Sequence, residues 1–219
     1  TTSGTFRPTA LLAAITPSGT WDTLPTNIFR YGGGGVAGWG TLCGTLNGAA
    51  AFISMAVGQN LADDGVTKTW AHRNNLINGV FQYYAETPLP TNDAYKSTQG
   101  ALGLPAWTPA PVNGYSVIEN APTSTANSPL CHSSLVQWTM TTGAADGSPL
   151  QRDRCGKACF DVTHKTIELL NKYFELASAP SVPLDPSVAA CGACHKTYTG
   201  AKMACGSCHD NTPDDGHWD

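Results

Sequence analysis

Two short motifs near the C-terminus constrain this chain more than anything else in it: Cys191-Gly192-Ala193-Cys194-His195 and Cys205-Gly206-Ser207-Cys208-His209. Each is C-x-x-C-H. That pattern fits covalent haem attachment, in which two thiols add across the porphyrin's two vinyl groups and the histidine that follows lies beneath the iron. Zinc is the competing chemistry. Paired C-x-x-C motifs that share one zinc usually stand about 15–20 residues apart, whereas here only residues 195–204 intervene. Zinc also leaves a histidine after both pairs unexplained, and a thioredoxin-like redox motif needs a strand–helix setting that this tail lacks. The tail is small, polar and poor in apolar side chains, so it cannot fold alone without a staple or a cofactor. Two c-type haems are therefore expected on Cys191, Cys194, Cys205 and Cys208, with His195 and His209 as proximal iron ligands. The short spacing sets the two haems side by side, and their apolar faces must be covered by the main domain or by another subunit.

Each haem iron has a second axial position. The remaining histidines are His72, His132, His164 and His217, and the methionines are Met55, Met140 and Met203. Bis-histidine ligation is the expected arrangement for at least one haem, which lowers its potential relative to His/Met. His132, next to Cys131, and His217, on the Asp/Gly-rich end, are the candidate distal ligands.

Haem attachment of this kind normally takes place outside the cytoplasmic membrane, so the expected compartment is periplasmic or extracellular. The first residues, Thr1-Thr2-Ser3-Gly4, have no signal-peptide character, consistent with a chain seen after processing. The longest apolar run, 46–58, is shorter than the roughly 18–20 residues that span a bilayer. A net charge of -4 gives no reason to expect nucleic acid or an anionic membrane surface as partner. Only 13% of residues are charged, about half the usual share of roughly 25%. A surface so poor in charge fits one covered by cofactor or by neighbouring subunits.

Upstream of the tail the sequence reads as mainly α: a small helical domain with long Pro/Thr-rich loops, ahead of an irregular dihaem tail. Residues 1–31 form an expected extended arm, 32–179 the helical domain and 180–219 the tail. An apolar segment at 36–57 has glycines at 40, 44 and 48, which line one face if the segment is helical; a glycine-rich loop is the alternative. A helix is expected at 66–86, where Trp70, Leu76, Ile77, Val80, Phe81 and Tyr84 recur at helical period. Prolines break up 87–129. A short helix follows Cys131, and a longer one covers 152–177 with Phe160, Ile167, Leu170 and Phe174 on one stripe.

The other four cysteines are Cys43, Cys131, Cys155 and Cys159, the last two one helical turn apart in Arg154-Cys155-Gly156-Lys157-Ala158-Cys159. Two structural disulfides, common in exported proteins, are one reading of them. In these segments, Leu42-Cys43-Gly44-Thr45 and Pro129-Leu130-Cys131-His132 included, the sequence resembles the split-Soret cytochrome c group, which joins a C-GCAxxG-C-C redox domain to a two-haem C-terminal tail. The resemblance runs from about Gly32 to His209. It implies a helical domain whose four cysteines hold one iron–sulfur cluster, here Cys43, Cys131, Cys155 and Cys159. It also implies a homodimer that gathers four haems, with a histidine crossing to a neighbour's iron. Cluster and disulfides both stay open at this point.

The expected function is electron transfer by an exported dihaem c-type cytochrome, in a homodimer or larger homo-oligomer that serves redox protein partners. Two alternatives differ in class. One is a subunit of a conductive extracellular filament; the other is a small multihaem reductase, which needs an open iron position with acid or base groups beside it.

Overall fold

The computed structural model describes residues 25–57, 65–91, 121–176 and Lys202. The chain divides into two compact units, Thr1–Ser181 and Val182–Asp219. The second is described only at Lys202, so both C-x-x-C-H motifs, with His195 and His209, and also His217, lie outside the described residues.

Four α-helices build the described part of the first unit: α1 (Gly44–Val57), α2 (Gly65–Glu86), α3 (Cys131–Thr142) and α4 (Pro149–Leu176). Among the described residues there is no strand, only two isolated antiparallel bridges, Leu42 with Leu130 and Leu89 with Ser124. The mainly α class expected from the sequence is what is observed. None of the described helices is long and apolar enough to cross a membrane.

Helical spacing places the core. On α1, Leu46, Ala49 and Ile53 fall on one face with Phe52; on α2, Leu76, Val80 and Tyr84 repeat every fourth residue; on α4, Ala158, Val162, Leu169 and Leu170 complete the cluster, and all are buried. These three helices pack on one another. Helix α3 feeds a smaller cluster, Trp138 with Ala144 and Leu150. The buried Trp138 indole donates from Nε1 to the Pro122 carbonyl at 2.9 Å, so its polar edge is not orphaned. Helix α3 ends on Gly143 in the left-handed region, at φ 66°, with its N–H on the Thr139 carbonyl.

The structure corrects three local expectations. Residues Thr26–Gly32 form a 3₁₀ helix packed against α1, where an extended arm is expected. The segment 36–57 becomes helical only at Gly44. Before it, a loop carries six residues at positive φ between Gly34 and Gly40, including Val36 at 62° and Ala37 at 53°, so the glycine spacing at 40, 44 and 48 does not form one helical face. Gly44 instead lets α1 begin against the 3₁₀ helix, since a Cβ there would lie 2.3 Å from the Gly32 carbonyl oxygen. On α4 the stripe is shifted: of the four residues expected on it only Leu170 is buried, and Phe174 is 62% exposed. The core face of α4 also carries Asp153, Arg154, Lys157 and Asp161, all buried. Those charges interrupt the apolar period that sequence reading depends on.

Three of these buried charges have a local reason. Lys157 and Asp153 form an ion pair at 3.1 Å. The Asp161 carboxylate accepts from the Thr91 N–H at 2.9 Å and from the Thr91 hydroxyl at 2.7 Å, tying the start of the Pro-rich segment to the helix. Residues 92–120 of that segment lie outside the described ones.

Leu46, fully buried at the centre of the main cluster, is the place to test this packing. Leu46→Ala is expected to lower the unfolding free energy by about 2–5 kcal/mol. Met140→Ala, on the 77% exposed outer side of α3, is expected to change it by no more than about 0.5 kcal/mol. Urea melts of the two variants measure the contrast.

Candidate metal centre

The backbone brings two distant cysteines to one place. The Leu42–Leu130 bridge joins the segments before α1 and α3. Around it, the Cys43 N–H donates to the Pro129 carbonyl at 3.1 Å and the Cys131 N–H to the Thr41 carbonyl at 2.7 Å. Cys43 thus stands just ahead of α1, and Cys131 is the first residue of α3. Gly35 makes the approach possible: a Cβ on it would lie 2.7 Å from the Cys131 Cβ, and its φ of 69° is one that glycine adopts without strain. Helix α4 presents Cys155 and Cys159 one turn apart on a single face.

A cavity of about 260 Å³ lies at this junction, lined by Cys43, Cys131, Cys155 and Arg154 together with the Gly32–Gly34 backbone. Cys159 does not line it; its thiol pairs with the Thr45 and Thr163 side chains. All four cysteines are free thiols, half-buried, with no disulfide among them. The disulfide reading therefore finds no support in the described residues. As placed, no three His, Cys, Asp or Glu side chains among the described residues stand close enough to hold a single metal ion. The arrangement is one of a close pair, Cys43 with Cys131, facing Cys155 across a cavity.

The thiols are electrostatically unequal. The Cys131 thiol donates to Cys43, and this hydrogen bond outweighs burial to hold Cys43 down at about 5, with help from Tyr84, the Thr45 backbone and the Arg154 charge. The same hydrogen bond pushes Cys131 upward, burial adding to it. Burial raises Cys155, opposed by Arg154. Burial also pushes Cys159 up to about 12, although hydrogen bonds from Thr45 and Thr163 oppose it. The Cys43 thiol is thus the most readily ionised of the four. Thiolate is the nucleophile and the metal ligand. In metal-free protein, brief alkylation at pH 6 is expected to label Cys43 at least about tenfold more than Cys159. Peptide mass spectrometry checks it, and equal labelling refutes the asymmetry.

Arg154 completes the site, and sequence reading gave it no role. It is 3% exposed, donates from a terminal guanidinium nitrogen to the Ser134 hydroxyl, and leaves Nε without a hydrogen-bond partner among the described residues. Burial works against its charge, but Tyr84, Cys155 and Cys43 around it raise its proton affinity above the ordinary arginine value. Its position directly before Cys155 was the available signal. Ser134 and Tyr84, both buried beside it, gave none.

The candidate distal ligands divide. His132 is exposed at the start of α3, its N–H on the Gly40 carbonyl at 3.0 Å, while His217 lies outside the described residues. His72 is half-buried, its ring edge-on to Tyr173 at 5.5 Å, and His164 is exposed.

Residues 11–173 match the family model described as "Putative redox-active protein (C_GCAxxG_C_C)". The chain is similar to a split-Soret cytochrome c of Desulfovibrio desulfuricans, at 27% identity over 179 residues, which is 81% of this chain and 54% of that protein. It spans about half the length of that curated relative. Among solved structures it is similar to one described as "A novel iron centre in the split-Soret cytochrome c from Desulfovibrio desulfuricans ATCC 27774", with a TM-score of 0.67 and 24% identity, covering 93% of this chain and 77% of that one. That likeness shows the shared fold.

Proposed function

The chain belongs to the C_GCAxxG_C_C family of redox-active proteins, and from that premise we propose that it is an exported electron-transfer protein with an iron–sulfur cluster in its helical unit and two c-type haems on its tail. The observation that carries the reading is the cavity at which cysteines from three separate elements meet a buried arginine. An all-sulfur donor set suits iron–sulfur clusters and other soft-metal sites. Two thiols together and a third facing them fit a cluster of more than one iron better than a single ion. The residues that would hold it are Cys43, Cys131 and Cys155, with Cys159 joining from the next turn of α4.

The names of the relatives point the same way. One is called a cytochrome c and the other is described as having an iron centre, and the two C-x-x-C-H motifs here supply haem attachment through Cys191, Cys194, Cys205 and Cys208 with His195 and His209 beneath the irons. When bound, haem and cluster each accept and return single electrons. The chain's own part is to hold them, to exclude water with the apolar faces of α1 and α4, and to set their potentials through nearby charge. Covalent haem implies a periplasmic or extracellular site of action. A tail with so few apolar residues implies a homodimer that covers the porphyrins, with His132 or His217 as distal ligand to a neighbour's haem.

A reductive titration tests the reading. Purified protein is expected to take up more electrons per chain than its haems account for, the excess showing the paramagnetic resonance of a reduced iron–sulfur cluster. Protein whose electron uptake equals its haem content refutes the cluster.

A further inference from the structure

Two arginines, Arg152 and Arg154, and no acid are among the residues that line the thiol cavity. Arg152 is exposed to solvent, whereas Arg154 is almost wholly buried. Burying a guanidinium costs several kcal/mol unless something compensates it. Here the described partners are few. The Ser134 hydroxyl takes one terminal nitrogen, the Cys155 thiol lies within hydrogen-bonding reach, and Nε donates to nothing among the described residues. No carboxylate pairs with it in any ion pair among the described residues. The buried carboxylate nearest along the helix, Asp153, is engaged with Lys157 instead. A buried, permanently charged fork with an idle donor, on the wall of a cavity walled by thiols, is the complement of an anion.

We propose that Arg154 is the built-in countercharge of the cavity's iron–sulfur centre, donating a hydrogen bond to its sulfur and holding its reduction potential up. This rests on the reading above that the cavity takes such a centre. Thiolates and sulfides give an iron–sulfur centre net negative charge, and one-electron reduction makes it more negative. A fixed positive charge in a low-dielectric site favours the more negative state and so raises the potential. Arginine suits the task because it stays protonated even when buried and presents several donors in one plane. Ser134 on α3 and the α4 backbone aim that plane, so Arg154 acts as a positioning and tuning residue and not as an iron ligand.

The test uses the whole haem-loaded protein and two readouts other than activity. The first is the potential of the non-haem centre, followed by electron paramagnetic resonance during redox titration. Arg154→Gln is expected to lower its reduction equilibrium constant about tenfold, which is about 59 mV for one electron. Arg154→Lys, which keeps the charge, is expected to recover part of that shift. A glutamine variant with full non-haem iron and an unchanged potential overturns the inference, as does a lysine variant as low as the glutamine one. The second readout needs no Arg154 variant to fold. In reduced protein carrying ¹⁵N-arginine, pulsed resonance is expected to show a ¹⁵N coupling to the cluster that persists in Arg152→Gln. Its absence, with iron present in full, also overturns the inference. Protein without non-haem iron overturns the reading of the cavity itself, and the inference falls with it, so the two failures are told apart by iron content.

Discussion

The intact denatured chain is expected to weigh more than its 22.9 kDa polypeptide by two haems, at about 0.6 kDa each. The case rests on the two C-x-x-C-H motifs. Thioether bonds survive denaturation, whereas zinc held by four thiolates does not, so one mass measurement in acid separates the two chemistries. Cys208→Ser leaves Cys205 as the only attachment at the second motif and is expected to lose or loosen one haem while the other stays in full. A denatured mass equal to the bare polypeptide refutes haem attachment, and with it the electron-transfer reading of the tail. The loss is large because the tail has little else to order it: residues 190–219 bring few apolar side chains of their own, and the porphyrins would supply the core that the sequence lacks.

The sequence places the helices at 66–86 and 152–177, but the buried face is legible only where the apolar period runs without charge. The helix expected at 66–86 is observed as Gly65–Glu86, because Leu76, Val80 and Tyr84 repeat every fourth position without interruption. Helix α4 was found, but its inward face was misread. Asp153, Arg154, Lys157 and Asp161 are buried on that face while Phe174 is outside, and hydropathy alone cannot anticipate an ion pair or a carboxylate tied to Thr91. The loop ahead of α1 departs from the helical reading of 36–57 for the opposite reason and follows the glycine-rich loop alternative. Its composition is apolar, but a run of left-handed residues turns it back so that Gly40 and Thr41 can receive the N–H groups of His132 and Cys131. Left-handed backbone at Val36 and Ala37 runs against the intrinsic preference of both residues, so only tertiary contacts hold it. The four upstream cysteines were named from the sequence, but which of them meet is a matter of the Leu42–Leu130 bridge, which no local pattern predicts.

Replacing Cys155 by alanine is expected to abolish the non-haem iron and leave the haem content unchanged. Cys155 faces the Cys43–Cys131 pair across the cavity and lies beside the buried Arg154. Its loss removes a whole side of the donor set, and a cluster missing one wall of thiolates is open to water and to hydrolysis. The haems proposed for the tail would be held by cysteines of a separate compact unit, Val182–Asp219, so their content has no reason to follow. The substitution is also mild for the fold. Cys155 belongs to neither apolar cluster, and alanine is the better helix former, so circular dichroism is expected to show α4 intact. Iron and acid-labile sulfide, measured anaerobically against haem, give the answer. Iron retained at the wild-type ratio in folded Cys155→Ala refutes this cavity as the site. Cys159→Ala then defines the donor set. Cys159 is turned toward Thr45 and Thr163, outside the cavity wall. Joining the cluster would require its side chain to leave those hydroxyls and lose a thiol proton that burial holds up to about 12. Loss of iron in Cys159→Ala means that the cluster's own charge draws this thiolate in. Retained iron in that variant, with loss in Cys155→Ala, leaves three cysteines as the protein's share of the ligands.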